Sequence, residues 1–273
     1  MFTEESQTEN CVNSQTDAKK TVLITGATTG IGYELSKLFA ADKANLVLVA
    51  RNTELLTQRQ IDLVSQYGVH VKSISLDLAE EGAAQKLYNQ VKKEGIFVNT
   101  LVNNAGFGLL GAFKDTDLET EMRMIRLNIS TLTALTKLFL NDLLDSGGEI
   151  LNVASTAAFE PGPMMAVYYA TKAYVLSFSE ALATELKGTP VKVSVLCPGP
   201  TQTEFQKTAR IRGVKLLKLG IMDADTVARA GYEGLKKGKT LIIPGFLNRL
   251  SVWSIRFAPR KLVTSVVEFL HKS

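Results

Sequence analysis

The sequence predicts a single doubly wound α/β domain with a seven-stranded parallel sheet and helices on both faces. Short β-branched apolar runs alternate with amphipathic segments along the chain, which is typical of β-α-β units. The apolar runs are nearly continuous, as expected for strands that are covered on both faces. No linker, solenoid-length repeat or low-complexity tract interrupts this alternation, so one domain accounts for the core of the 273 residues.

The elements are predicted in the following order. Strands, each rich in Val, Ile and Leu, are expected over residues 21–25, 45–50, 70–78, 99–106, 147–155, 191–199 and 239–245. Helices, each an amphipathic segment, are expected over residues 32–42, 52–68, 80–95, 117–145, 166–187 and 224–237. We expect a disordered polar leader at 1–19, a nucleotide-binding oxidoreductase domain at 20–245 and a basic helical extension at 246–273. Pro259 is predicted to divide this extension into two helices.

Composition excludes several classes of protein. The two cysteines, Cys11 and Cys197, form no CxxC pair and predict no disulfide framework, which favours a reducing, cytoplasmic setting. Only two histidines are present, so we expect no multi-histidine metal site. No stretch is apolar for the length of a membrane span. Residues 207–273 contain 14 Lys/Arg against 4 Asp/Glu, whereas residues 1–206 contain 17 against 23. The basic end predicts either a solvated face or a surface that meets anions.

A glycine-rich loop follows the first predicted strand and opens the first helix. It reads TGATTGIG and contains Gly26, Gly30 and Gly32. In a nucleotide loop one glycine permits the tight turn, one lets the backbone approach a pyrophosphate, and one packs the helix start against the strand. Amide N–H groups at the helix N-terminus would then face the phosphates. The strand before and the helix after make a merely flexible turn the weaker interpretation.

The ends of the next strands carry further candidate binding residues. An NAD site would place a carboxylate after the second strand, but this chain has Ala50 and then Arg51, whose guanidinium suits a 2′-phosphate and predicts NADP(H). A surface arginine is the alternative interpretation. After the third strand, Asp77 either accepts from an adenine amino group or caps a turn, and Leu78 would pack the ring edge. After the fourth strand come four residues: Asn103 and Asn104 are expected to tie strand ends together, and Ala105 and Gly106 leave space for a ribose.

The stretch YYATK contains two adjacent tyrosines before a lysine. In a helix, Tyr168 and Lys172 are i and i+4 on one face, while Tyr169 is i+3, so geometry favours Tyr168 without deciding. A lysine ammonium near a phenol stabilises the phenolate and would lower the pKa of a tyrosine that exchanges protons with a carbonyl oxygen. Ser155, at a strand end, is a candidate to hold that oxygen. Asn128, a poor helix former within a predicted helix, is a candidate for a proton relay or a structural core position.

With these motifs in place, the chain resembles the short-chain dehydrogenase/reductase family of the TGxxxGxG and YxxxK type. The resemblance covers residues 20–245 and rests on TGATTGIG, the Asp77-Leu78 pair, NNAG at 103–106, Asn128, Ser155, YYATK, and CPGPTQT at 197–203. It implies a Rossmann domain. The family places its serine 13 residues before its tyrosine, and this spacing also selects Tyr168.

The resemblance implies roles for particular residues. Asn128, Ser155, Tyr168 and Lys172 would form the catalytic tetrad, and Lys172 would also hold the nicotinamide ribose. Arg51 would hold the 2′-phosphate, and Pro198, Gly199 and Thr203 would lie beside the nicotinamide carboxamide. The loop residues Thr28, Thr29 and Ile31 would also contact the cofactor. Two departures are Ala154, where many relatives have a second serine, and Thr28-Thr29, where many NADP-dependent relatives have a basic residue.

The substrate is expected to be a lipophilic carbonyl compound, such as a 3-oxoacyl thioester or another hydrophobic ketone. Residues 204–222 mix aliphatic and basic side chains and are expected to form a substrate lid. The extension at 246–273 resembles that of the DltE-like bacterial subgroup. It would pack on the body, on a partner subunit in a homodimer or homotetramer, or on a membrane surface. An NADP(H)-binding redox sensor or scaffold without turnover is the alternative function, and an epimerase or dehydratase on the same fold is a third.

Overall fold

A seven-stranded parallel sheet runs through the centre of the computed structural model, which describes residues 19–205, 209 and 221–271. Its strands are β1 (Thr21–Thr25), β2 (Asn45–Ala50), β3 (Val71–Ser75), β4 (Thr100–Asn103), β5 (Glu149–Val153), β6 (Lys192–Leu196) and β9 (Leu241–Ile242). They lie in the order β3-β2-β1-β4-β5-β6-β9, and every pair is parallel. The strand order reverses between β1 and β4, which is where doubly wound folds bind ligands. The predicted fold class is confirmed.

Helices cover both faces of this sheet. They are α1 (Gly30–Ala41), α2 (Thr53–Tyr67), α3 (Ala83–Lys93), α4 (Leu118–Ile125), α5 (Leu132–Ser146), α6 (Ala166–Glu185), α7 (Ala224–Lys236), α8 (Phe246–Ile255) and α9 (Arg260–His271). A π-helical turn (Arg126–Thr131) joins α4 to α5, and a 3₁₀ turn (Thr156–Phe159) follows β5. A small second sheet pairs β7 (Thr201–Gln202) with β8 (Met222–Asp223). Among the described residues, no helix is both long and apolar enough to cross a bilayer.

Two apolar layers hold the helices against the sheet. Successive residues of β1 point to opposite faces, so Ile24 packs with Phe39 of α1 and Val227 of α7, while Leu23 packs with Phe139 of α5. These side chains are almost fully buried. The near-continuous apolar strands of the sequence follow from this arrangement, because both faces of each strand are covered.

Local signals explain several helix ends. The side chain of Asn52 accepts a hydrogen bond from Leu55 N at 2.8 Å and begins α2, and Asp117 does the same for Thr120 N at the start of α4. Gly68, with φ of +64°, ends α2 in the left-handed region that favours glycine. These capping residues are visible in the sequence, so the predicted and observed boundaries of α2 agree closely.

Several boundaries differ from the predictions. The third strand ends at Ser75 rather than at residue 78, because the Asp77 side chain accepts from Ala79 N at 2.9 Å and forms a turn. The last strand is reduced to Leu241–Ile242, since Pro244 cannot donate to a ladder and Gly245, with φ of +83°, leads into α8. The predicted leader lies outside the described residues except Lys19, as does most of the predicted lid.

Candidate active site

A cavity of about 690 Å³ opens at the carboxyl ends of the central strands. Its wall is formed by the loop after β1, the ends of β2 to β6, the start of α6 and the last residue of α9. The predicted site residues that line it are Gly26, Thr28, Thr29, Gly30, Ile31, Arg51, Asp77, Leu78, Asn104, Ala105, Gly106, Ser155, Tyr168, Lys172, Pro198, Gly199 and Thr203. Nearly all candidates from the sequence therefore meet in one place.

The conformation of the glycine loop depends on residues that have no Cβ atom. Gly26 (φ +67°) and Gly30 (φ +55°) adopt the left-handed region, and Gly26 N donates to Val49 O at 2.8 Å. A Cβ on Gly32 would lie 2.3 Å from Gly26 O, so only glycine lets α1 begin this close to the loop. Gly32 itself does not line the cavity, and of the three roles expected for the loop glycines it has the one of packing the helix start.

The fourth strand is tied to its neighbours by two asparagines. Asn103 Nδ2 donates to Asn152 Oδ1 of β5 at 2.9 Å and to Thr136 Oγ1 of α5. Asn104 Nδ2 donates to Thr25 O at 2.9 Å and to Gly26 O at 3.1 Å, which holds the glycine loop against β4. The predicted tying of strand ends is confirmed, and it holds β4 against β1 and β5.

The end of β3 is organised by an ion-pair cluster. Asp77 Oδ2 lies 2.7 Å from Arg123 Nη2 and 3.9 Å from Arg51 Nη1, while Asp77 Oδ1 caps the following turn. The turn-cap interpretation of Asp77 is thus confirmed, although its carboxylate also lines the cavity. The Arg51 side chain is 65% exposed, and its pairing with Asp77 is loose because Arg123 already neutralises that carboxylate.

Ser155, Tyr168 and Lys172 converge at the inner end of the cavity. Ser155 follows β5, where its hydroxyl accepts from Ala157 N at 3.1 Å and begins the 3₁₀ turn. Tyr168 and Lys172 lie one turn apart on α6, both buried, and Lys172 Nζ is 5.8 Å from the centre of the Tyr168 ring. Lys172 Nζ donates to Val153 O at 2.8 Å, which anchors the lysine to β5. The structure therefore places Tyr168, as predicted, beside the lysine and the serine.

Burial sets the protonation of this pair. It raises the pKa of Tyr168 to about 12, and the interaction with the Ser155 hydroxyl offsets only part of that rise. It lowers the pKa of Lys172 to about 8. We expected Lys172 to lower the pKa of Tyr168, but the loss of hydration dominates, and Lys172 directs its ammonium at Val153 O. At neutral pH the phenol is protonated and can donate a proton.

Asn128 lies behind the cavity wall, within the π-helical turn. Its Oδ1 accepts from Phe107 N at 3.2 Å, and its Nδ2 donates to Phe107 O and to Thr171 Oγ1, each at 3.0 Å. A Cβ on Gly106 would lie 2.9 Å from Asn128 Oδ1 and 3.5 Å from Lys172 Nζ, so these two groups flank the same glycine. The side chain thus fixes the loop after β4 to α6 rather than reaching into the cavity.

A second polar cluster, not predicted from the sequence, lies in the cavity wall. Tyr169 Oη and His271 Nε2 are 3.0 Å apart, and His271 Nδ1 donates to Pro163 O at 2.7 Å. Nearby Glu160 also lines the cavity, and burial raises its pKa to about 7. Burial lowers the pKa of His271, so the imidazole is held neutral with Nε2 free to accept from Tyr169. No local pattern signals this pairing, because it joins α6 to the far end of the chain.

The site fits a nicotinamide dinucleotide. The glycine loop, the start of α1 and the strand ends from β1 to β6 line one cavity. A Cβ on Gly26, Gly30 or Gly106 would lie within 2.9 Å of a neighbouring side chain, so glycine at these positions allows the loops to pack closely around the cavity. Among the described residues, no cluster of three or more His, Cys, Asp or Glu side chains could hold a metal ion.

Comparison with known proteins supports this interpretation of the geometry. The family profile described as short chain dehydrogenase matches residues 20–212. The ketoacyl reductase HetN of Nostoc sp. is 31% identical over 226 residues, covering 82% of this chain and 78% of that protein. A short-chain dehydrogenase from Sphingobium yanoikuyae, solved with NADPH, superposes with a TM-score of 0.78 at 31% identity, covering 86% of this chain and 92% of that one. A 7β-hydroxysteroid dehydrogenase gives a TM-score of 0.82 at 26% identity, covering 91% and 96%.

Proposed function

The chain belongs to the short-chain dehydrogenase/reductase family, and from this membership we propose that it is an NADPH-dependent reductase of a lipophilic ketone or aldehyde. The observation that carries the proposal is the buried, protonated Tyr168 phenol beside Ser155 and Lys172, at the inner end of a cavity that continues from the glycine loop. A family member that only binds nucleotide would not need this arrangement of proton donor and oxygen-binding hydroxyl.

Each residue has a separate task in the proposed reaction. When bound, NADPH supplies the hydride for the carbonyl carbon. Tyr168 donates its phenolic proton to the carbonyl oxygen, which the Ser155 hydroxyl holds in place. Lys172 holds the ribose of the cofactor and places its positive charge near the phenolate that forms. Asn128 holds Phe107 and Thr171 in place by hydrogen bonds, and we keep its predicted part in the proton relay as a proposal.

The preference for NADPH rests on Arg51. Its guanidinium lines the cavity at the end of β2, no carboxylate stands at Ala50, and the charge of Asp77 is already paired with Arg123. A 2′-phosphate at this position would meet a cation with free hydrogen-bond donors. The family member from Sphingobium yanoikuyae was solved with NADPH, which supports the same choice.

The substrate class is proposed from the wall beyond Tyr168. Phe107, Met165, Tyr169 and Phe205 form an apolar lining that suits a hydrophobic carbonyl compound. The likeness to a ketoacyl reductase supports a 3-oxoacyl thioester as the first candidate, and the likeness to a hydroxysteroid dehydrogenase supports a bulky ketone as the second. We keep residues 204–222 as the proposed lid.

The test is NADPH oxidation by wild type and Tyr168→Phe over 3-oxoacyl thioesters, bulky ketones and aldehydes, with NADH in parallel. We expect turnover of at least one lipophilic carbonyl by the wild type. The phenylalanine variant should lose about 10²-fold or more of kcat because its proton donor is gone, while NADPH binding is retained. Equal turnover by both proteins would contradict the role of Tyr168. Tight NADPH binding without turnover across the panel would favour the redox-sensor or scaffold alternative.

We also propose that the protein forms a homodimer or homotetramer. Leu118 and Met122 of α4 and Tyr174 of α6 are exposed on helices next to the site, which supports a contact between subunits there. Light scattering after size-exclusion chromatography measures the mass directly, and a monomer at high protein concentration would refute the proposal.

A further inference from the structure

The last two helices expose an unusual amount of apolar surface. Large apolar side chains stand out from α8, from the turn after it, and from α9, among them Phe246, Leu247, Leu250, Trp253, Phe257, Leu262 and Val266. Trp253 is 60% exposed and Phe257 71% exposed, and their rings contact each other at 4.8 Å between centroids. We call these seven residues the tail face. Single exposed apolar residues need no explanation, but a contiguous group marks an interaction surface.

The tail face is not the side by which these helices pack on the domain. Leu250 and Trp253 lie at i and i+3 on one side of α8, and Phe257 in the following turn contacts Trp253, whereas buried Val252 lies on another side of α8. In α9, Leu262 and Val266 are exposed while Val263 and Val267 are buried. Each helix is therefore apolar on two sides. Packing against the domain accounts for only one of them.

Positive charges accompany the tail face. Arg249, Arg256, Arg260 and Lys261 are exposed, and none of them forms an ion pair with a residue that the structure describes. Arg256 follows the last residue of α8 with helical backbone angles, so Arg249 and Arg256, seven residues apart, lie on the same side of this helix, next to the apolar side chains. The combination of aromatic side chains and exposed cations is complementary to the headgroup region of an anionic bilayer. A second copy of the same face would bring these like charges together.

We propose that the tail face binds the surface of a bilayer containing anionic phospholipid, with α8 and α9 lying in the plane of the interface. Trp253 and Phe257 would enter the boundary between headgroups and acyl chains, and Arg249 and Arg256 would contact phosphates. The family profile ends at residue 212, so this surface belongs to the part of the chain beyond the family match.

This placement has a consequence for substrate access. The inner side of α9 carries Val263, Val267 and His271, which pack with Tyr168 and Tyr169 in the wall of the cavity. One helix thus has lipid on its outer side and the cavity on its inner side. This consequence for access rests on the proposed function, since it matters only if the substrate is lipophilic. The proposed binding of lipid by the tail face does not depend on that function.

Trp253 provides a direct test, because it is the only tryptophan of the chain. The full-length protein is mixed with vesicles of phosphatidylcholine alone or of phosphatidylcholine with phosphatidylglycerol, and tryptophan emission and vesicle flotation are measured. We expect a blue shift and flotation with the phosphatidylglycerol vesicles, both weakened by high salt, and little of either with phosphatidylcholine alone. No assay of turnover is involved, so the failure of this proposal and the failure of the proposed function are distinguishable.

Matched variants distinguish vesicle binding by the tail face from non-specific adsorption of the protein to lipid. Leu250→Ser with Phe257→Ser, and Arg249→Glu with Arg256→Glu, should each weaken vesicle binding about tenfold or more. Phe113→Ser is the apolar control, since Phe113 is 68% exposed elsewhere on the molecule, and Lys86→Glu with Lys93→Glu on α3 repeats the seven-residue charge spacing. Both controls should bind as the wild type does, and all variants should keep the same far-ultraviolet circular dichroism.

Three results would overturn the proposal. The first is no emission change and no flotation with anionic vesicles, which would mean that another part of this chain covers the face. The second is a blue shift that grows with protein concentration without lipid, together with a doubled mass in light scattering, which would mean that a second copy covers it. The third is equal loss of binding in the tail-face variants and their controls.

Discussion

At the scale of single residues, the buried pair on α6 combines function with a cost in stability. Neither Tyr168 nor Lys172 has enough polar partners to replace water, so burial favours the neutral form of each. For Tyr168 the neutral form is the proton donor that carbonyl reduction needs. For Lys172 the lowered pKa means that the folded protein disfavours its charged form. This penalty is fully present below about pH 8 and disappears as the pH rises towards the ordinary lysine value of 10.5.

Lys172→Met should therefore give an inactive but more stable protein in the absence of nucleotide. The substitution removes the penalty of burying the charged lysine, which is on the order of 3 kcal/mol, and it loses the hydrogen bond to Val153 O, which contributes about 1 kcal/mol. Thermal unfolding at pH 7 should show a melting temperature about 5 °C higher than that of wild type, and the gain should shrink at about pH 10. Lys93→Met, an exposed lysine, is the control and should change little. A lower melting temperature at pH 7 would contradict the predicted penalty.

The sequence predicted the residues whose chemistry shows in local patterns, and it missed those brought together over long distances. Tyr168 and Lys172 share a helix face, and Ser155 ends a strand, so the fold class already places all three at one edge of the sheet. Tyr169 and His271 are 102 positions apart and lie on helices whose docking no periodicity specifies. The pKa of Tyr168 was predicted in the wrong direction, because the sequence gives the lysine but not the depth of burial.

At the scale of elements, the helix expected over residues 117–145 is divided by its π-helical turn. Asn128 lies in this turn, and its amide satisfies both backbone polar groups of Phe107 and the hydroxyl of Thr171. The turn thus joins α4 to α5, and through Asn128 it is also bonded to the loop after β4 and to α6. A poor helix former at this position signalled a special role, but hydrophobic periodicity contains no signal for an i to i+5 turn.

Asn128→Ala should destabilise the protein by about 3 kcal/mol, because it leaves the Phe107 N–H and C=O groups without partners near the buried helix. Urea unfolding measures this as a lower midpoint with an unchanged slope. Asn89→Ala is the matched control: Asn89 is an exposed asparagine on α3 whose only described partner is Gln85, and its replacement should cost less than about 0.5 kcal/mol. Equal effects of the two substitutions would show that the amide of Asn128 does not tie these segments together.

At the scale of the whole molecule, the carboxyl edge of the sheet joins distant parts of the chain. The cavity wall draws on the loop that follows each of the strands β1 to β6 and on the end of α9, whereas the opposite edge carries ion pairs such as Lys236 with Glu149. The doubly wound parallel sheet and the position of the site at the strand ends were predictable from the alternation of strands and helices, whereas the strand order was not predicted. The orientation of α8 and α9 was not, since an amphipathic segment does not specify which body its apolar side covers.

A ligand that binds along the carboxyl edge of the sheet should stabilise the whole domain. Among the nicotinamide nucleotides, we expect NADPH to raise the melting temperature most. At 100 times its dissociation constant it would add about 2.7 kcal/mol, or about 5–10 °C in melting temperature for a chain of this size. NADH at the same concentration should give a smaller shift, because Arg51 would find no 2′-phosphate to pair with. Arg51→Glu tests the cause: it should abolish the advantage of NADPH and leave the melting temperature without nucleotide within about 1 °C, because Arg51 is exposed and only loosely paired. Equal shifts by NADPH and NADH in the wild type would refute the proposed preference and leave the fold and the site intact.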